Sequence, residues 1–404
     1  MPEDKDLIKI KGFFKTGTVL NKIEEALELK LNTIIGIDKT SANNLYEENI
    51  TTVKDLAKLD PDKLPQVKNV LPQLLVKWIK IGQVIEKAVK EQIKAQKKIL
   101  MIGLDNGGKS SILAVVQDKF SIIKDLMPTR GVKREKLDFF GYPILSWDLG
   151  GQVVYRENMY FKKPELFFSE ADLILYIIDS QDPERFTESA QYFEEVLKIL
   201  EDLKEFPAIL VVLNKSDPDV RKTLAWQKNA ASIKKTFDEI INTYAEKGFD
   251  LEYYDTSIFQ KESIMQMFSI GLKKISETSE IIENILEDFN RQIESRALSI
   301  ISTDGLIFGN FSKNTTDEMM VNNTALLLQT LTNFHLSIGL NRESSLKIQF
   351  PANGLVIRGE KLFVYSELEI PVYLWILSEK IDKPIDDKIN FFKEQLIPLI
   401  NLFI

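Results

Sequence analysis

Apolar positions change their spacing between three stretches of the 404-residue chain, and the elements they predict divide it accordingly. Residues 1–95 read as a small all-helical module: helical spacing runs over 19–33, and two short helices joined by Gly36-Ile37-Asp38 follow. A Lys-rich helix over 73–97 then sets Leu74, Leu75, Trp78, Ile81, Val84 and Ile85 on one side, with its lysines expected on a solvated face. Residues 96–278 alternate apolar strand runs with helical patterns: KILMIG, VKREKLDFF, YPILSWD, DLILYIID, AILVVLN and LEYYDTS. That alternation predicts an α/β domain with a mostly parallel sheet covered by helices on both faces. Residues 279–404 predict an α+β domain: a helix, a hairpin turning at Asp304-Gly305, a long helix, strands at SLKIQF, GLVIRG, KLFVYSE and VYLWIL, and a last helix with Pro398 near its end.

The sharpest chemical signal is KILMIGLDNGGKSS at 98–111. The apolar run Ile99 to Ile102 leads into Gly103, four residues follow, and Gly108-Lys109-Ser110 opens a helix-forming run. This is the G-x-x-x-x-G-K-[ST] phosphate-binding loop in its strand-to-helix setting. Its glycines let successive N–H groups turn toward phosphate, with a helix N-terminus behind them. Gly103, Asp105, Asn106, Gly107, Gly108, Lys109, Ser110 and Ser111 are therefore the expected nucleotide-binding residues of the loop. Lys109 sets a point charge against the β and γ phosphates, and the Ser110 hydroxyl is placed to ligate Mg²⁺.

Composition removes several other chemistries. There is no cysteine, which excludes disulfides and thiolate zinc sites and fits a reducing, cytoplasmic setting. The single histidine, His335, sits in a helical pattern, so histidine triads and multi-histidine metal sites are excluded. A net charge of −8 argues against a general nucleic-acid binder. No apolar run reaches the 18–20 or so residues of a membrane span, MPEDKDLIKI lacks a signal core, and Pro2 and the terminal NLFI offer no lipidation site, so no direct membrane anchor is expected. The apolar tail LIPLINLFI is expected to pack inside the C-terminal domain.

The remaining motifs close strands, where ligands of parallel sheets bind. In WDLGGQ at 147–152, Asp148 would hold the Mg²⁺ shell through water, the Gly151 amide would bond the γ-phosphate, and Gln152 would orient the attacking water. In NKSD at 214–217, Asp217 offers two carboxylate oxygens to the N1–H and amine that guanine has and adenine lacks. Asn214 supports that loop and the Lys215 stem can lie along the base. In DTSI at 255–258, Ser257 braces the loop and the Ile258 amide is positioned for guanine O6. Gln152 and Lys109 are the expected catalytic residues.

Together these motifs resemble the small GTPase superfamily, and within it the Arf and Rag branches. GLDNGGKSS is similar to the Arf loop, DLGGQ to Arf and Rag switch II, IDSQDPERF to the Arf segment after the next strand, and RENMYF and TSIFQKESIMQMFS to Rag sequences. The resemblance aligns MPTRG with the Arf P-T-x-G and so makes Thr129 a Mg²⁺ and γ-phosphate ligand beside Ser110 and Asp148. Val132 stands where Arf proteins carry the aromatic beside Trp147, and KKPELFFSE at 162–170 is an extension, so Arf effectors are not assumed. No arginine stands upstream of Thr129 as in Gα, and Arg130 and Arg156 read as solvated switch residues. The resemblance thus implies a P-loop GTPase cycling between GTP and GDP, slow alone and served by GTPase-activating and exchange proteins. The alternative is a scaffold that binds nucleotide constitutively and hydrolyses it negligibly.

The flanks carry weaker resemblances. Gly36-Ile37-Asp38 with Ala42, Ile50, Thr52, Val53 and Leu56 is similar to a helix-hairpin-helix module. Asp38 places a carboxylate where such hairpins bind phosphate, so a packed or protein-docking role is expected and no nucleic acid. Residues 279–404 resemble a roadblock domain, which implies a homo- or heterodimer. Localisation is expected to be cytoplasmic, with any membrane recruitment through partners.

Overall fold

The computed structural model describes residues 7, 10–91, 97–117, 119–127, 129, 131–139, 142–276, 278–303, 305–339, 345–365, 370–379 and 386–401. The chain divides into two compact units, one formed by Met1–Ala95 together with Ser276–Ile404 and the other by Gln96–Ile275.

In the first unit, helical spacing over 19–33 yields only 3₁₀ turns, at Ile23–Glu28 and Leu31–Thr33. The backbone between them is extended and pairs with the segment before the next helix: Leu31 N–H donates to Thr51 O, and Val53 N–H to Leu29 O. Those groups are thereby taken from any continuous α-helix. Gly36-Ile37-Asp38 consequently joins a 3₁₀ turn to α1 (Lys39–Glu47), not one α-helix to another. Residues 48–52 instead connect α1 to α2 (Val53–Ala57). Asp38 caps α1, its carboxylate accepting from Ser41 N–H at 2.8 Å, a bond that holds its pKa below the ordinary value. Thr52 and Asp55 cap α2 reciprocally, at 3.2 and 3.0 Å.

The Lys-rich helix, α3 (Pro72–Glu91), buries Leu75, Trp78, Ile79, Ile81, Ile85 and Ala88, in part across α2. Its lysines are not all solvated. Lys77 is 7% exposed and donates to Gln395 Oε1 at 2.6 Å, because this edge of α3 meets the C-terminal helices.

The second unit is a six-stranded sheet in the order β2-β3-β1-β4-β5-β6, parallel except for the β2–β3 pair. Its strands are β1 (Lys97–Ile102), β2 (Val132–Phe139), β3 (Tyr142–Leu149), β4 (Leu173–Asp179), β5 (Ala208–Asn214) and β6 (Leu251–Asp255). β4 and β5 are buried almost end to end, as apolar runs covered on both faces must be. The helices are α4 (Lys109–Val116), α5 (Val153–Tyr155), α6 (Pro164–Phe168), α7 (Phe186–Leu203), α8 (Leu224–Ala245) and α9 (Lys261–Ile275). Alternate strand residues Leu100, Ile102, Tyr176 and Val211 join Phe193, Leu197 and Phe237 of α7 and α8 in one core, while α9 packs on β4, β5 and β6 and touches α4. Phe167 and Phe168 of α6 are buried, so the 162–170 extension is part of the core.

The C-terminal part returns to the first unit with α10 (Ser279–Ile293), β7 (Ala297–Ser302), β8 (Ile307–Ser312), α11 (Thr315–Ser337), β9 (Ser345–Phe350), β10 (Leu355–Tyr365), β11 (Ile370–Ser378) and α12 (Asp386–Asn401). The five strands order as β8-β7-β11-β10-β9, all antiparallel. GLVIRG and KLFVYSE are one strand, β10, with a register shift between Lys361 and Phe363. Gly359 marks a close approach there, not a turn: a Cβ on it would come within 2.8 Å of the Trp375 ring opposite. Asp304 of the hairpin lies outside the described residues. α11 buries Val321, Ala325 and Leu328 on Tyr373, Trp375 and Leu377, and Phe289 of α10 stacks on Phe392 of α12 at 4.5 Å. Leu396, Leu399 and Ile400 of the apolar tail are buried. Among the described residues no helix is long and apolar enough to cross a membrane.

Burial pushes the Lys77 ammonium down to about 8, with Asp288 partly opposing it. Its folded-state value thus lies below the unfolded one, and between about pH 8 and the ordinary lysine value the unfolded chain holds the extra proton. Stability of this unit should therefore rise with pH across that window, by on the order of 2–3 kcal/mol. Scanning calorimetry from about pH 7 to pH 10 should show the rise in wild type and a flat profile in Lys77→Met. An equal rise in both would remove the buried charge as its cause.

Candidate nucleotide-binding site

β1 ends at Ile102, and the loop from Gly103 turns back through two left-handed residues, Asn106 (φ 60°) and Gly108 (φ 93°), before α4 begins at Lys109. Lys109 is buried, its ammonium donating to the carbonyls of Gly103 (2.9 Å) and Leu104 (2.8 Å) at the mouth of its own loop. In front lies a cavity of about 500 Å³. It brings together Asp105, Asn106, Gly108, Lys109, Ser110, Ser111, Thr129, Gly151 and Lys215 of the expected residues, and adds Asp179 and Asp182, which the motifs did not single out.

Beside it, oxygens from the first turn of α4, the loop before β2 and the end of β3 meet. Ser110 Oγ donates to Asp148 Oδ2 at 2.5 Å and Thr129 Oγ1 to the same oxygen at 2.8 Å, while the two hydroxyls stand 3.0 Å apart. Asp148 is 1% exposed and its Oδ1 is buried without a hydrogen-bond partner. A buried carboxylate with two hydroxyls gathered on it is an all-oxygen donor set, which fits Mg²⁺ and not a softer metal. The aligned Thr129 thus stands beside Ser110 and Asp148.

Switch II lies directly against the phosphate loop. A Cβ on Gly151 would fall 2.2 Å from Asp105 N, so this position admits only glycine. Gln152, half-buried, follows Gly151 and leads into α5, and it does not line the cavity. Trp147 lies with Arg134 and Lys98 over its ring, at 3.9 and 4.3 Å from the centroid. Arg130 and the Arg156 side chain lie outside the described residues.

Toward the other rim, Asn214 is 1% exposed and ties two loops together: its Nδ2 donates to Gly107 O at 2.8 Å, and its Oδ1 accepts from Thr256 Oγ1 at 3.0 Å. Lys215 pairs with Asp179 at 2.6 Å. Ser257 Oγ donates to Asp217 Oδ1 at 2.5 Å and accepts from Phe259 N–H, which fixes the loop bearing Ile258 beside the Asp217 carboxylate. Asp217 and Ser257 are joined to each other but do not line the main cavity.

Arg185, within IDSQDPERF, makes a contact that the motifs do not assign. Its guanidinium donates to Asp105 Oδ1 at 2.8 Å and to the Asp105 carbonyl at 3.2 Å, bracing the phosphate loop from the segment after β4. Burial would raise the Asp105 carboxyl, but this hydrogen bond and charge outweigh it and hold it below the ordinary value. The IDSQDPERF stretch was legible as a segment; which residue in it reaches the loop depends on the α7 start.

Sheet order, phosphate loop and the hydroxyl–carboxylate cluster define a P-loop nucleotide-binding protein. The Gtr1/RagA G protein conserved region matches residues 98–331, more than half of the chain. The chain belongs to the Gtr1/RagA G protein family. It is 34% identical over 160 residues to ADP-ribosylation factor-like protein 1 of Drosophila melanogaster, across 38% of this chain and 83% of that protein. It is 33% identical over 124 residues to ADP-ribosylation factor-like protein 3 of Chlamydomonas reinhardtii, across 31% of this chain and 65% of that one, just under two thirds. Among solved structures, the Arl6 BBS3 small GTPase from Trypanosoma brucei with a bound nucleotide analogue GppNp aligns at 21% identity and a TM-score of 0.36, over 45% of this chain and 97% of that one. The protein is accordingly a GTPase, a GTP-hydrolysing switch that binds GTP and GDP.

Asn214→Ala removes two buried hydrogen bonds that hold the phosphate loop to the loops after β5 and β6. At about 1 kcal/mol or more each, their loss should speed release of fluorescent GDP roughly 10- to 100-fold. An unchanged release rate would show that this bridge does not hold the nucleotide site.

Proposed function

We propose that this chain is a Rag/Arf-like small GTPase whose Ser110, Thr129 and Asp148 hold Mg²⁺, Asp148 through water, and which hydrolyses GTP slowly as a regulatory switch. The observation that carries the reading is the meeting of those three side chains on one carboxylate oxygen. Mg²⁺ bound there supplies neutralisation of charge on the β and γ phosphates. Lys109 exchanges the carbonyls of Gly103 and Leu104 for phosphate oxygens, and the Gly151 amide bonds the γ-phosphate. Gln152 orients the attacking water. Asp217 selects guanine by its N1–H and amine, with Lys215 along the base, the Ile258 amide on O6, and Asn214 and Ser257 holding the loops. Loss of the γ-phosphate frees Thr129 and Gly151, so both switch loops respond to one event. No arginine precedes Thr129 in the sequence to act as a finger, a group worth roughly 10³–10⁵ in rate, so turnover depends on an activating partner and recycling on an exchange protein.

The C-terminal part is read as a roadblock-like dimerisation domain. Its element order supports this, as does the family match running on to 331, inside α11. α11 leaves Leu327, Leu331 and Phe334 exposed at helical spacing, with Ile338 exposed just past its end, and β9 is a sheet edge with alternating exposure. A second roadblock-like chain, identical or related, covers that helix face and extends the sheet. The N-terminal helical module serves protein packing, since the Asp38 carboxylate is committed to capping α1. The protein acts in the cytoplasm and reaches membranes through partners.

Single-turnover hydrolysis tests the switch. Gln152→Leu should lower it at least about 10-fold with GDP affinity unchanged. Equal inertness of wild type and variant, with candidate activators present, would leave only a constitutively nucleotide-bound scaffold. Dimerisation is tested by mass in solution. Phe334→Asp, which puts a charge in the apolar stripe, should convert the dimer to monomer with the melting temperature changed little. A monomeric wild type in both nucleotide states would remove the dimer.

A further inference from the structure

We propose that Tyr160 is a positioning residue that makes the two switch segments close as one, its buried hydroxyl donating to the Gly131 carbonyl only while Thr129 stands beside Ser110 and Asp148. The inference rests on the reading of Thr129 given above and adds to it a residue outside the nucleotide motifs.

Tyr160 is fully buried and ends a π-helical turn, Arg156–Tyr160, that continues α5. Its hydroxyl donates to Gly131 O at 2.7 Å. The same carbonyl accepts from Gly150 N–H at 2.9 Å. A single acceptor two residues after Thr129 thus collects one donor from each end of switch II. The ring is held as firmly as the hydroxyl. It stands edge-on to Phe167 at 5.1 Å, and Phe167 stands edge-on to Trp147, the neighbour of Asp148, at 6.3 Å. Burial also pushes the phenol pKa up, so the group stays a neutral donor.

The coupling follows from desolvation. The hydroxyl of a fully buried side chain has no water to turn to if its acceptor departs. Should Thr129 leave the metal site and draw Gly131 with it, Tyr160 would be stranded unless the end of switch II moves too. The penalty for an unpaired buried donor therefore falls on every arrangement in which one switch is closed and the other open. Closure of the pair becomes a single event.

Tyr160→Phe in the full chain removes the hydroxyl and keeps the ring. Release of a non-hydrolysable GTP analogue should speed up about three- to tenfold in Mg²⁺, while GDP release stays within about twofold. In a Thr129→Ala background the same substitution should add nothing, since the loop it reads is already untethered. Equal acceleration for both nucleotides would reduce Tyr160 to a packing residue, and no acceleration would remove the link. If Tyr160→Phe does not fold, hydrogen exchange on wild type decides. Peptides covering 129–139 and 153–161 should gain protection together on loading the analogue in place of GDP, and protection confined to one of them overturns the proposal. If wild type itself releases both nucleotides alike and shows no protection difference, the switch reading falls, and this inference with it.

Discussion

The nucleotide unit depends on bringing three side-chain oxygens to one point. Ser110 belongs to the first turn of α4, Thr129 to the loop before β2, and Asp148 to the end of β3. Two registers bring them together: β1 and β3 are parallel neighbours, with Met101 paired to Asp148, and β2 runs antiparallel to β3, with Val132 opposite Leu149. The first register sets the carboxylate beside the start of the phosphate loop. β1 buries Ile99, Leu100, Met101 and Ile102, and its ladder with β3 runs from Lys97 opposite Ile144 to Met101 opposite Asp148. Strand pairing is thus what places the polar chemistry.

Much of this was readable beforehand because the motifs have a fixed form. The phosphate loop, DLGGQ, NKSD and DTSI each end a strand run, and their order along the chain maps directly onto one rim of the sheet. What could not be read were contacts that depend on the angle of a helix or the path of a connection. Arg185 reaches Asp105 only because of where α7 begins. Tyr160 reaches Gly131 through a π-helical turn that no apolar spacing announces.

Outside the nucleotide unit, spacing misled where short elements compete. Residues 19–33 have the intervals of a helix, but pairing of Leu29 and Leu31 with residues 51 and 53 claims the backbone groups first. GLVIRGEKLFVY looked like two strands because of Gly359, which instead makes room for Trp375. Lys77 looked like one more solvated lysine, yet a helix contributed from the far end of the chain covers it.

Trp147 carries a consequence for recognition. With a guanidinium and an ammonium already over its ring, its π-face is occupied from within the molecule. An incoming aromatic side chain has nothing to stack on there, and the outermost of these groups is the exposed Arg134. A contact made at this flank meets the Arg134 guanidinium before the buried indole, and the electrostatic share of such a contact weakens as salt is added.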